Sequence, residues 1–185
     1  MLFRSYASAL REKLYVRACD YVEAGDRRSD ALFFLLRAAD VKKLHARLQI
    51  KALALRKKKT YDKALAYLRY LTKDPACGVP IRLEAAGCAV KESQHDVGAE
   101  ARSADHGLQQ FSRLLSNYQA EVTKFVDKAK WLEPEDLFYL GFHFAEQNGA
   151  PQKFGGAVLR LLLKRSPKSK LAKDARAKLR SAGLD

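Results

Sequence analysis

Residues 48–75, LQIKALALRKKKTYDKALAYLRYLTKDP, restrict the fold more than any other stretch of the chain. Leu48, Ala52 and Leu55 recur at helical spacing, and so do Tyr61, Ala64, Leu65, Leu68 and Leu71. Apolar residues that return every three or four positions lie on one face of an α-helix. A short basic turn at 57–60 separates the two stripes, so the second helix must run back along the first. Pro75 ends it, because proline has no N–H to donate and its ring clashes with the preceding turn.

A second pair begins at Glu135. Its first helix carries Leu137-x-x-Leu140-Gly141-x-x-Phe144, and its second, over 154–165, carries Ala157-x-x-x-Leu161 before Pro167. A glycine within the first helix lets two helices approach closely, since it brings no side chain to the crossing. The connection over 148–153 reads as a loop. Two fainter pairs complete the chain. Residues 15–40 hold Ala18, Cys19 and Val22, a Gly25-Asp26 turn and Ala31-x-x-x-Leu35; residues 80–117 hold Leu83, Ala86, Gly87 and Val90, an irregular stretch over 92–106, then 108–115. The small residues Cys19, Ala52, Gly87 and Gly141 fall at intervals of 33, 35 and 54. The long interval leaves space for an additional helix, and 119–130 fits it.

These features resemble the tetratricopeptide repeat, a helix pair of about 34 residues with small residues at the crossing and a closing proline. Leu137 stands where that family usually has tryptophan. Pro167-x-Ser169-x-x-Ala172-x-x-Ala175 is similar to the passage that follows such repeats in many bacterial members. The resemblance implies an all-α chain: antiparallel helix pairs stacked as a short α-solenoid with an irregular middle. Residues 1–185 form one domain on this reading, with units 15–40, 41–75, 80–117 and 135–167. An extra helix spans 119–130, and a capping helix spans 168–182 with Leu171, Ala172, Ala175 and Leu179 facing inward. A plain helical bundle is the other arrangement these stripes allow.

The charge is +14, unevenly spread. Residues 37–73 carry twelve Lys/Arg against two acids, residues 151–185 ten against two, and residues 74–150 seven against twelve. Such polarity steers anionic partners. No apolar run approaches the roughly 20 residues that span a bilayer; the longest, 31–36 and 157–163, are short, and the second contains Arg160. The amino terminus is amphipathic and poor in acids. It reads as a first helix with Leu2, Phe3, Tyr6, Leu10 and Leu14 inward, or as a mitochondrial transit peptide. Cys19, Cys77 and Cys88 have no framework spacing and suit reduced thiols in the cytosol.

Little in the sequence points to catalysis. It has no nucleophile elbow, phosphate-binding glycine loop or His-Glu-x-x-His helix. Cys77, Cys88, His95 and His106 are spaced too widely for a zinc site, which starts with two ligands a few positions apart. Glu133, Glu135 and Asp136 around Pro134 mark a helix start, where acids suit the dipole. Gly155-Gly156 reads as a packing contact between paired helices. A non-catalytic protein without metal or cofactor is expected.

The expected partner is another protein, offering a peptide or helix. The tetratricopeptide resemblance implies a groove lined by the first helix of each pair, which places Gln49 and Glu84 among its candidates. The carboxylate-clamping variety needs asparagines that the corresponding helices lack. Phe138 and Phe142 add a second apolar stripe beside Leu137, Leu140 and Phe144; it is either packed against 119–130 and Trp131 or open to a partner. The densest basic clusters are Arg56, Lys57, Lys58 and Lys59, and Lys164, Arg165, Lys168 and Lys170. Each is a solvated helix end or a contact for an anionic partner. The second use makes sequence-tolerant RNA or DNA binding the alternative function.

Overall fold

The computed structural model describes residues 2–24, 26, 28, 41–74, 77–93 and 100–184. Every regular element among them is an α-helix: α1 (Leu2–Glu23), α2 (Val41–Lys57), α3 (Tyr61–Thr72), α4 (Val79–Ser93), α5 (Glu100–Asn117), α6 (Gln119–Lys128), α7 (Pro134–Ala145), α8 (Ala150–Arg165) and α9 (Ala172–Ser181). None of the described helices is long and apolar enough to cross a membrane. Two compact units result, Met1–Cys88 and Ala89–Asp185.

In the first unit α2 and α3 form the expected pair. The turn between them is closed by two hydrogen bonds: Lys59 N donates to the Arg56 carbonyl at 2.9 Å and Thr60 N to the Leu55 carbonyl at 3.1 Å. That pattern ends a helix in a Schellman motif, whose pivotal residue is left-handed and usually glycine. Here the pivot is Lys59, with φ of 61°. α3 buries Tyr61, Ala64, Leu65, Tyr67, Leu68, Tyr70 and Leu71, more than a single face, and meets Leu48 and Ala52 of α2 and Ala18, Cys19 and Val22 of α1 within one core.

Tyr67 ties this core together. Its hydroxyl lies 2.8 Å from Glu23 Oε1 and 3.2 Å from the Cys19 carbonyl oxygen. Lys51 Nζ pairs with the same Glu23 oxygen at 3.0 Å and sits over the Tyr67 ring. The hydrogen bond from Tyr67, with help from Lys51 and against the effect of burial, holds the Glu23 carboxyl below its ordinary range. Burial and the neighbouring Glu23 push the Tyr67 hydroxyl up.

One expectation for α1 fails. Leu10, placed inward by its spacing, is 51% exposed, and the buried residues among the described side chains of α1 are Ala18, Cys19 and Val22. α1 has 22 residues and α3 only 12, or about 33 Å against about 18 Å. Contact with α3 therefore covers only part of α1. The side chains of Leu2, Phe3 and Tyr6, and the stretch containing Ala31 and Leu35, lie outside the described residues.

The second unit contains the other clear pair, α7 and α8. An added Cβ on Gly141 would stand 2.7 Å from Leu159 Cδ2; one on Gly155 would overlap the Ala145 backbone nitrogen and stand 2.7 Å from the Phe144 carbonyl carbon. The helices thus touch backbone to backbone. Beside the crossing, Phe144 and Phe154 pack edge to face at 5.3 Å. The small residue that α8 brings to the crossing is Gly155, not Ala157, which is exposed.

Two further boundaries differ from expectation. α8 starts at Ala150 with Pro151 in its first turn, so the connection is 146–149 rather than 148–153. Proline supports that start, because its fixed φ is helical and a first-turn N–H needs no partner. The stretch over 92–106 is also less irregular than its composition suggests, since α4 continues to Ser93 and α5 begins at Glu100. Gly107 of α5 allows close passage past α4, where an added Cβ would be 2.9 Å from Val90 N. α6 fills the long interval as expected, and α9 turns Ala172, Ala175 and Leu179 inward.

Candidate binding groove

Several sequence candidates turn out to be engaged within the fold. Arg56 Nε and Glu84 Oε2 form an ion pair at 2.9 Å between α2 and α4, both largely buried. Burial, opposed by Arg56, raises the Glu84 carboxyl above its ordinary range. Gln49 is half-buried on α2, while Lys57, Lys58 and Lys59 are exposed on the α2–α3 turn. Arg165 terminates α6: its guanidinium donates to the carbonyls of Ala129 at 3.3 Å, Val126 at 3.2 Å and Asp127. A cation suits a helix carboxyl end, where carbonyls lack partners. Lys164, Lys168 and Lys170 are exposed.

Phe138 and Phe142 pack together with ring centroids 5.6 Å apart. Phe142 remains 39% exposed. Lys178 of α9 lies 4.0 Å from its ring centroid and is held there by Glu146, 2.9 Å away. Trp131 packs edge-on to Phe125 of α6 at 6.3 Å. The aromatic stripe of α7 is thus partly roofed by α9.

Two features escaped the sequence reading. The first is a charge cluster in which Lys91 and Asp136 are buried and Glu133 is exposed. Lys91 Nζ lies 2.7 Å from Asp136 Oδ2 and 2.8 Å from Glu133 Oε2. Asp136 Oδ2 also accepts from the Glu133 backbone N–H at 2.7 Å, part of a capping box at the start of α7. The acids around Pro134 do start the helix, and they also anchor α4 to it. Burial raises the Asp136 carboxyl despite Lys91 and the Glu133 N–H. Lys91 is opposed by burial, yet its bonds to Asp136 and Glu133 raise it above the usual range. A lone lysine among alanines gave no signal of a partner 45 positions away.

The second is a groove between α6 and α8 with a volume of about 280 Å³. Its floor is Val126 of α6 and Phe154, Ala157, Val158 and Leu161 of α8. Arg160 and Lys164 stand on the α8 rim, and Thr123 and Asp127 on the α6 rim. A shallower depression continues along α6 past Gln119, Ala120 and Lys124. Arg160 is steadied by donating to the Leu184 carbonyl. The floor residues of α8 follow i, i+3, i+4, i+7, so Ala157 and Leu161, expected at the crossing of the helix pair, face the groove instead. A groove with an apolar floor and a polar rim can hold an apolar side-chain row while charges pair at its edge.

Among the described residues no group of three or more His, Cys, Asp or Glu could hold a metal ion. His95 lies outside those residues, as does the side chain of His106. Comparison with protein-family models, curated proteins and solved structures gives no match.

Proposed function

We propose that the chain is a non-catalytic scaffold of the tetratricopeptide type, a short α-solenoid that holds a partner protein within a larger assembly. The α6–α8 groove carries the partner-binding part of this reading, and it lies on α8, the second helix of its pair, rather than on the first helices that the resemblance implies. It leaves apolar surface open on a helix whose other side is packed backbone to backbone, as an element does when it serves both fold and partner. The glycine crossing of α7 with α8 and the Schellman-closed pair α2–α3 support the repeat architecture. A cytosolic setting suits the free thiols of Cys19, Cys77 and Cys88.

The test is capture from native lysate on the immobilised full-length chain, with and without nuclease. A defined protein retained after nuclease treatment in high salt is the expected result. The exposed Lys57, Lys58 and Lys59 favour the second reading, sequence-tolerant nucleic-acid binding. Capture abolished by nuclease and by charge reversal at those three positions would establish it in place of the first.

A further inference from the structure

We infer that the α6–α8 groove takes an acidic amphipathic helix presented by the partner protein. This rests on the scaffold reading and names the chemistry its partner must have.

Shape decides the secondary structure of the occupant. The floor is bounded by two helices, and α8 offers it Phe154, Ala157, Val158 and Leu161 at helical spacing. Two flanking helices leave a trough into which a third helix lays its apolar stripe, with anchors every three or four residues. The lining of α8 runs from Phe154 to Lys164, or about 15 Å, so an occupant of about three turns fills it.

Charge decides its composition. Arg160 and Lys164 edge the groove against the single acid Asp127, and Lys124 lines the depression that continues it along α6. Residues 151–185, which supply α8 and α9, hold ten bases and two acids. Residues 74–150, which include α6, hold seven bases and twelve acids, so the attraction for an acidic helix comes from α8 and its rim, which also repel a basic helix. The concave apolar floor separates this surface from a phosphate-binding one, which needs cations but no trough.

Two fluorescein-labelled synthetic helices of about four turns test the proposal against the full-length chain by fluorescence anisotropy. They share one leucine stripe and differ only in whether glutamate or lysine flanks it. The glutamate helix binds and the lysine helix does not. Ala157→Glu abolishes binding by filling the trough with bulk and like charge. Because Ala157 is exposed, circular dichroism and the melting temperature stay unchanged. Lys124→Glu with Lys164→Glu weakens binding roughly ten-fold, the effect of reversing two exposed ion pairs. The proposal is overturned if the glutamate helix fails to bind, if both helices bind alike, or if Ala157→Glu leaves binding intact. Vesicles of anionic phospholipid binding through the same residues, with no peptide binding, would also overturn it. A lysate partner held equally by wild type and Ala157→Glu removes the groove but keeps the scaffold reading. Capture that depends wholly on nucleic acid removes the scaffold reading itself.

Discussion

Replacing Lys91 with methionine keeps the length of the side chain and removes its charge from a place where two carboxylates depend on it. Lys91 is 2% exposed and Asp136 0%, so the Asp136 carboxylate is left without its cation and without water. Breaking a buried pair from one side costs about 3–5 kcal/mol, because the remaining charge is uncompensated. Urea unfolding followed by the fluorescence of Trp131, the single tryptophan and part of the second unit, reads this directly. With a slope near 2 kcal/mol per molar urea, the midpoint falls by roughly 2 M. Adding Asp136→Asn removes the orphaned charge while keeping an oxygen for the Glu133 N–H, so the double variant recovers most of the loss. Acid should narrow the deficit. Burial already raises Asp136, with Lys91 opposing it, so in Lys91→Met the folded-state pKa climbs further. Between the unfolded and folded pKa the folded chain binds more protons, and stability falls as pH rises. The deficit is therefore largest near neutrality and shrinks as the solution is acidified. A midpoint shift worth less than about 1 kcal/mol, or a double variant no better than the single one, would refute the account.

Gly155→Ala gains helix propensity but sets a methyl against the α7 backbone, and a net loss of about 2–3 kcal/mol in thermal unfolding is expected. Lys59→Gly relieves a left-handed lysine at φ 61° and should raise stability by about 1 kcal/mol, read as a higher urea midpoint. Tyr67→Phe removes the hydroxyl that bonds Glu23 and should cost about 1 kcal/mol near neutral pH. Since Tyr67 lowers the Glu23 pKa, that contribution is present above the unfolded value and lost as pH falls through the folded one, so wild type and variant converge in acid.

The helix pairs were legible because each is encoded locally. The stripes over 48–75, the glycine at 141 and the proline-and-acid start at 133–136 are short-range signals, and α2, α3 and α7 follow them. What depends on contacts across the sequence was not legible. Nothing near Lys91 announces Asp136, and nothing near Arg165 announces the last carbonyls of α6. Local spacing placed Leu10 inward, yet whether a helical stripe is covered depends on the length of its neighbour. By sequence Arg56 belongs to a basic cluster and Glu84 to a groove-lining helix, and the fold makes them partners.

The groove itself follows from the glycines. Successive residues of an α-helix turn by about 100°, so once Gly155 is fixed against α7, the rotation of α8 is fixed as well. Leu159 and Leu162 then lie within about 40° of the crossing direction and are fully buried. Arg160, Ala157, Leu161 and Lys164 fall between about 140° and 240° away, on the opposite side, and these residues line the groove. Phe154 and Val158 lie between the two faces, which is why they are buried and still form its floor. The same sixteen-residue helix thus presents one stripe to the fold and another to a partner. Substitutions should separate the two: Gly155→Ala lowers the melting temperature, whereas Ala157→Glu changes peptide affinity alone. If Ala157→Glu destabilised the chain as much as Gly155→Ala, the far side of α8 would be core, and the groove would be a packing defect rather than a binding surface.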